Sequence, residues 1–94
     1  MQEKMQQCPC CDYRSLERRG EYDICPVCFW EDDGLDVDRL DEHSGPNHQT
    51  LRQARENFSM LGACDERAIK SVLSSEKRAR YTLEARLVPG SERT

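Results

Sequence analysis

The 94-residue chain has little of what carries membrane insertion or most enzyme chemistry. No run approaches the ~18 consecutive apolar residues of a bilayer-spanning helix, so no such span is expected. The opening MQEKMQQ lacks the apolar stretch of a secretory leader, which points to the cytoplasm, where thiols stay reduced. There are two histidines, one tryptophan and 6% aromatics. No nucleophile motif, no glycine-rich phosphate loop and no histidine-bearing open metal site is present, which argues against an enzyme. Hydrophobic residues are 36% of the chain, and six residues are cysteine. A single domain over 1–94 is therefore short of core. Fixing each residue's backbone costs about 1–2 kcal/mol, so a staple is expected, either disulfides or a metal.

What the chain does have is cysteine at a regular spacing. Cys8 and Cys11 form one Cys-Pro-x-Cys, Cys25 and Cys28 form another, and thirteen residues separate them. Each pair can wrap a tight turn, and two such knuckles supply the four ligands of a closed tetrahedral site. Pro9 and Pro26 fix φ at the same place in each turn. In a reducing compartment such pairs bind metal more often than they cross-link. The expectation is one zinc ion held by Cys8, Cys11, Cys25 and Cys28. Iron is the less favoured alternative, since four thiolates also suit it. The spacer YRSLERRGEYDI, with Arg18-Arg19-Gly20 at its centre, predicts a β-hairpin that brings the knuckles together, making residues 8–33 a metal-binding ribbon. Asp12 follows the first knuckle at a position that often turns left-handed, a conformation aspartate tolerates. Cys10 is either a small filler or a thiol that acts beside the site.

Charge is uneven. Residues 1–48 hold twelve acids against five bases, whereas residues 49–94 hold six acids against nine bases. Seven of the acids fall within Glu31–Glu42, opposed there by Arg39 alone. Such a surface repels phosphate backbones, which argues against nucleic-acid binding by this half. Two readings of the run compete. It is a docking surface for a basic protein, with Trp30, Glu31, Asp32, Asp33, Asp36 and Asp38 as contact residues. Alternatively, it pairs internally with Arg52 and Arg55.

Beyond a turn at SGPNHQT, Thr50 and Gln53 make a capping-box pattern. Leu51, Ala54, Phe58 and Leu61 recur at helical spacing, and Gly62 suits the stop. Phe58 is expected beside Phe29 or Trp30. Cys64 is expected as a buried small residue, and Asp65 as the cap of a short helix through Leu73, so residues 50–73 form a helical part. His43 and His48 are expected at the surface. In the tail, 74–94, Tyr81, Leu83, Ala85 and Leu87 alternate like a strand, but composition and a Ser75 cap favour helix. The fold class expected is small α+β: a four-cysteine, zinc-ribbon-like β-hairpin followed by two or three short helices.

Several motifs in one order resemble the cysteine-rich CPCC family of small bacterial proteins. They are Cys8-Pro9-Cys10-Cys11, Glu21-Tyr22-Asp23-Ile24-Cys25-Pro26-Val27-Cys28-Phe29-Trp30-Glu31-Asp32-Asp33, Gly45-Pro46-Asn47, Leu51-x-x-Ala54-Arg55-x-Asn57-Phe58 and Gly62-Ala63-Cys64-Asp65-Glu66. The resemblance implies the metal knuckles and no established activity. The function expected is a zinc-stabilised protein-interaction module that neutralises a basic partner, as antitoxin or immunity proteins do. The alternatives are a thiol redox protein or zinc-linked redox sensor using Cys10 or Cys64, and a nucleic-acid-binding ribbon supported by Arg14, Arg18 and Arg19.

Overall fold

A computed structural model describes residues 5–88. Its centre is the pair of knuckles, which repeat one hydrogen-bond pattern. The Asp12 amide donates to the Cys8 carbonyl at 2.9 Å, and the Phe29 amide donates to the Cys25 carbonyl at 2.8 Å. The Cys8 amide reaches the Tyr13 carbonyl and the Cys25 amide the Trp30 carbonyl, at 2.8 and 2.9 Å. Closing each turn puts the residue after its last cysteine in the left-handed region, with φ +69° at Asp12 and +74° at Phe29. Asp12 meets that requirement as its residue type suggests.

Each knuckle is flanked by its own antiparallel strands, and here the expected pairing is corrected. Strand β2 (Tyr13–Leu16) does not pair with Glu21–Ile24. It lies between β1 (Gln6–Gln7) and β5 (Thr82–Leu83), with Tyr13 opposite Leu83 and Arg14 opposite Thr82. The second knuckle closes on itself through an Ile24–Glu31 bridge. The Tyr22 amide adds a bond to the Asp32 carbonyl at 2.8 Å. Strands β3 (His43–Ser44) and β4 (Gln49–Thr50) form a second hairpin around the SGPNH turn. The architecture is a small zinc-ribbon-like α+β fold.

Helix α1 (Leu51–Leu61) starts at Thr50, whose hydroxyl accepts from the Gln53 amide at 3.1 Å, and ends at Gly62 with φ +77°. The Gln53 side chain donates to the Asn57 side-chain oxygen at 3.0 Å. Leu51 and Ala54 are buried in the core with Leu16, Val27 and Trp30. Phe58 packs edge-on to Tyr13 at 6.3 Å between centroids, with the Arg78 guanidinium 5.1 Å above its own ring, rather than beside Phe29 or Trp30. Asp65 caps a 3-10 turn, Glu66–Ser71, shorter than the helix expected there.

The tail is helix only in part. Helix α2 is one turn, Ser75–Arg78, capped by Ser74 rather than Ser75, and the chain then extends into β5. The last stretch of the expected tail helix, residues 89–94, lies outside the described residues. Among the described residues, no helix is long and apolar enough to cross a membrane.

Candidate metal centre

The sulfurs of Cys8, Cys11, Cys25 and Cys28 all lie within 4.8 Å of one another. Cys8 and Cys28 are 3.6 Å apart, and Cys11 and Cys25 are 3.7 Å apart. A disulfide needs about 2.05 Å, and all six cysteines are free thiols. Four sulfurs each ~2.3 Å from a central zinc stand about 3.8 Å apart along a tetrahedron's edges, so the spacing fits one ion. Cys8, Cys25 and Cys28 are fully buried, and Cys11 is 5% exposed. The four thiols form a closed set that can hold a metal ion.

Local donors also fit anionic sulfur. The buried Ser15 hydroxyl lies 3.0 Å from the Cys25 sulfur, and the amides of Val27 and Cys28 reach it at 3.3 and 3.4 Å. Burial alone would raise the Cys25 pKa. Hydrogen bonds from Cys11, Cys28, Cys8 and Ser15 outweigh it and hold the group well below the ordinary thiol value. Burial, helped by thiols competing for one charge, pushes Cys8, Cys11 and Cys28 up. Four buried thiols cannot all ionise beside one another unless a cation offsets their charge. A divalent ion supplies that offset, and binding releases the protons. Nothing in the spacing of the sequence marks Ser15 for this role.

Cys10 and Cys64 are both buried, at 3% exposure. Cys64 is anchored by its amide on the Cys28 carbonyl at 2.7 Å, and burial pushes its thiol up to about 12. His43 and His48 are exposed.

The residues expected to contact a partner differ in burial. Trp30 and Asp32 have no exposed surface, so neither presents itself to another molecule. Asp32 accepts from the Arg19 guanidinium at 2.8 Å and the Gly20 amide at 2.6 Å. Asp33 accepts from the Ser44 hydroxyl at 2.8 Å. Asp36 caps the 3-10 turn Val37–Arg39 and pairs with Arg19 and Arg86 at 2.8 and 3.3 Å. The Glu31 backbone is bracketed by the Asn47 side chain. Of the six, Asp38 is exposed. Asp32, Asp36, Asp41 and Glu42 pair with arginines inside the molecule, largely others than those expected. Arg52 does reach the run, at Asp41, whereas Arg55 binds Asp12.

No curated protein and no solved structure matches the chain. The family described as Cysteine-rich CPCC matches residues 6–79, taking in both knuckles, α1 and the turn after it. With that match over most of its length, the chain belongs to the cysteine-rich CPCC family.

Proposed function

We propose that this chain is a small zinc-stabilised module that acts by contact with another protein rather than by catalysis. One observation carries the assignment of a single metal ion, for which zinc is the preferred occupant: four buried sulfurs mutually within 4.8 Å, at the separation of a tetrahedral site. An iron–sulfur cluster spreads its thiolates over several irons and needs a wider set. A closed four-thiolate shell leaves no position for water, which disfavours metal-assisted hydrolysis. The exposed acids a basic partner could reach are Asp38, Asp41, paired with Arg52, and Glu42, paired with Arg39, and neutralising such a partner is the activity this surface suits.

Metal analysis of protein produced without added metal is the direct test, with one zinc per chain expected. Structural zinc contributes roughly 10–16 kcal/mol in small domains, so chelation should also unfold the ribbon. Cys25→Ser should lose both zinc and folding, while Cys10→Ser keeps both. A metal content near zero, or coloured protein containing iron, would sink the zinc assignment. For the partner, capture at low ionic strength and release by salt is expected. Binding that ignores salt, or survives Asp38→Asn with Glu42→Gln, would sink the acidic contact.

A further inference from the structure

Of the eight large apolar side chains that the described residues expose, four gather along one groove. It consists of two open recesses, of about 260 and 580 Å³, that adjoin across Asn47, His48, Asp65 and Arg67. Ile24 and Phe29 of the second knuckle wall the smaller recess, and Met60 and Leu61 at the end of α1 wall the larger. Single exposed apolar residues are ordinary, whereas a contiguous set with a polar rim marks a contact site. Phe29 is the most telling of the four. It takes the left-handed position that closes its knuckle, as Asp12 does in the other, and that conformation costs an aromatic residue more than an aspartate. Asp12 is buried there and answers Arg55 and Arg86. Phe29 is 38% exposed and, among the described residues, stacks on no other ring. Tight turns and a helix end set the groove's walls, so a bound segment meets a preformed surface.

The rim is acidic. Glu31 lines the smaller recess, Glu66 the larger and Asp65 both. Unlike Asp32 and Asp36, the carboxylates of Glu31 and Glu66 make no ion pair or hydrogen bond among the described residues. Asp65 accepts from the Ala68 amide at 2.9 Å, and its contact with the exposed Arg67 is 3.7 Å long. Three acids against one arginine leave the groove negative. Among the described residues only the four thiols are close enough together to hold a metal ion, so these carboxylates are spread along the groove rather than converged on a point. Such a rim repels phosphate and attracts lysine or arginine.

We propose that this groove seats an extended segment of the partner protein that carries large apolar residues beside lysine or arginine. The inference rests on the protein-contact reading above and places the main contact away from Asp38, Asp41 and Glu42. Apolar side chains of the segment cover Ile24, Phe29, Met60 and Leu61, and its cations meet Glu31, Asp65 and Glu66.

The test pans a random dodecapeptide phage library against the zinc-loaded full chain, then measures an enriched peptide, made with a fluorescent label, by anisotropy. Enriched sequences should combine large apolar residues with lysine or arginine. Phe29→Asn suits the left-handed backbone, so it should keep its zinc and melting temperature while binding the peptide at least tenfold more weakly. Met60→Ser, 78% exposed and away from the metal, should also weaken binding and covers the case in which the Phe29 variant fails to fold. Glu31→Gln with Glu66→Gln should weaken it roughly three- to tenfold at low salt, and less as salt rises. Asp38→Asn with Glu42→Gln should leave this short probe within twofold of wild type. Loss through Asp38 and Glu42, with the groove variants binding normally, overturns the groove and leaves the acidic-contact reading standing. A wild-type chain that retains no peptide overturns both. Enrichment of acidic peptides, or dimerisation of the chain that the groove variants abolish, overturns a basic partner as the occupant.

Discussion

Asp12 follows Cys11 with φ +69°, and its carboxylate is the most heavily engaged acid of the first knuckle. Arg55 donates to its two oxygens at 2.8 and 2.9 Å. The Arg86 amide and guanidinium add bonds at 2.8 and 2.9 Å. Burial alone would raise its pKa; the hydrogen bonds from Arg55 and Arg86 outweigh that and hold it below the usual carboxylate range. The sequence shows why an aspartate is tolerated here, but not what it binds, because its partners lie 43 and 74 residues away. Asp12→Asn keeps the backbone preference and removes the charge. Hydrogen bonds to charged groups contribute roughly 1.5–3 kcal/mol, so a loss of about 2–3 kcal/mol is expected in urea unfolding of zinc-loaded protein. Asp12→Ala should lose a further ~1–2 kcal/mol from left-handed strain. Wild-type stability in the Asn variant would show that the guanidiniums are satisfied without the charge.

The elements differ in how legible they were. Each knuckle is a local object, set by Cys-Pro-x-Cys and a left-handed residue, and spacing alone locates it. Helix α1 carries its own apolar period, cap and stop. The strands are two to four residues long, too short for alternation to choose a partner. Tyr13–Leu16 therefore looked like half of a hairpin with Glu21–Ile24, whereas tertiary contacts bring β1 and β5 to it instead. The tail hides its role for a similar reason. Leu83 and Leu87, which suggested an apolar face, are exposed, while Val88 and the Arg86 head group make the contacts. This segment lies beyond the family match, which ends at residue 79. Truncation after Tyr81 removes β5, Arg86 and Val88 but no sulfur of the cluster. Losing charge-assisted bonds of roughly 1.5–3 kcal/mol and one buried valine of roughly 1.5 kcal/mol should cost about 3–4.5 kcal/mol. Zinc content should stay at one per chain. A truncated protein without zinc would make the tail part of the metal site's support.

Over the whole molecule, the acidic first half and the basic second half close on each other. Asp32, Arg19, Asp36, Arg86, Asp12 and Arg55 form a continuous chain of ion pairs, each contact between 2.7 and 3.3 Å. The run Glu31–Glu42 looked like surplus charge because sequence shows its density and not the arginines that answer it. Arg19 lies before the run and Arg86 long after it. The separation of roles within the run is testable by single substitutions. Asp32→Asn should destabilise by about 2–3 kcal/mol, since it withdraws charge from a buried acceptor of Arg19 and two amides. Asp38→Asn, at the surface, should stay within ~0.5 kcal/mol of wild type. Asp36 adds a pH signature. Burial opposes its ionisation, but Arg19 and the Val37 amide prevail and lower its pKa below the ordinary 3.8. A carboxylate with a depressed folded pKa stabilises fully above its unfolded value and loses that contribution as pH falls through the folded one. The stability gap between wild type and Asp36→Asn should therefore hold from neutral pH to above 3.8 and close below it. Acid release of the metal affects both proteins, so the difference between their melting curves at each pH isolates Asp36. If Asp32→Asn and Asp38→Asn melt alike and the Asp36 gap does not vary with pH, the ion-pair chain contributes nothing to the fold.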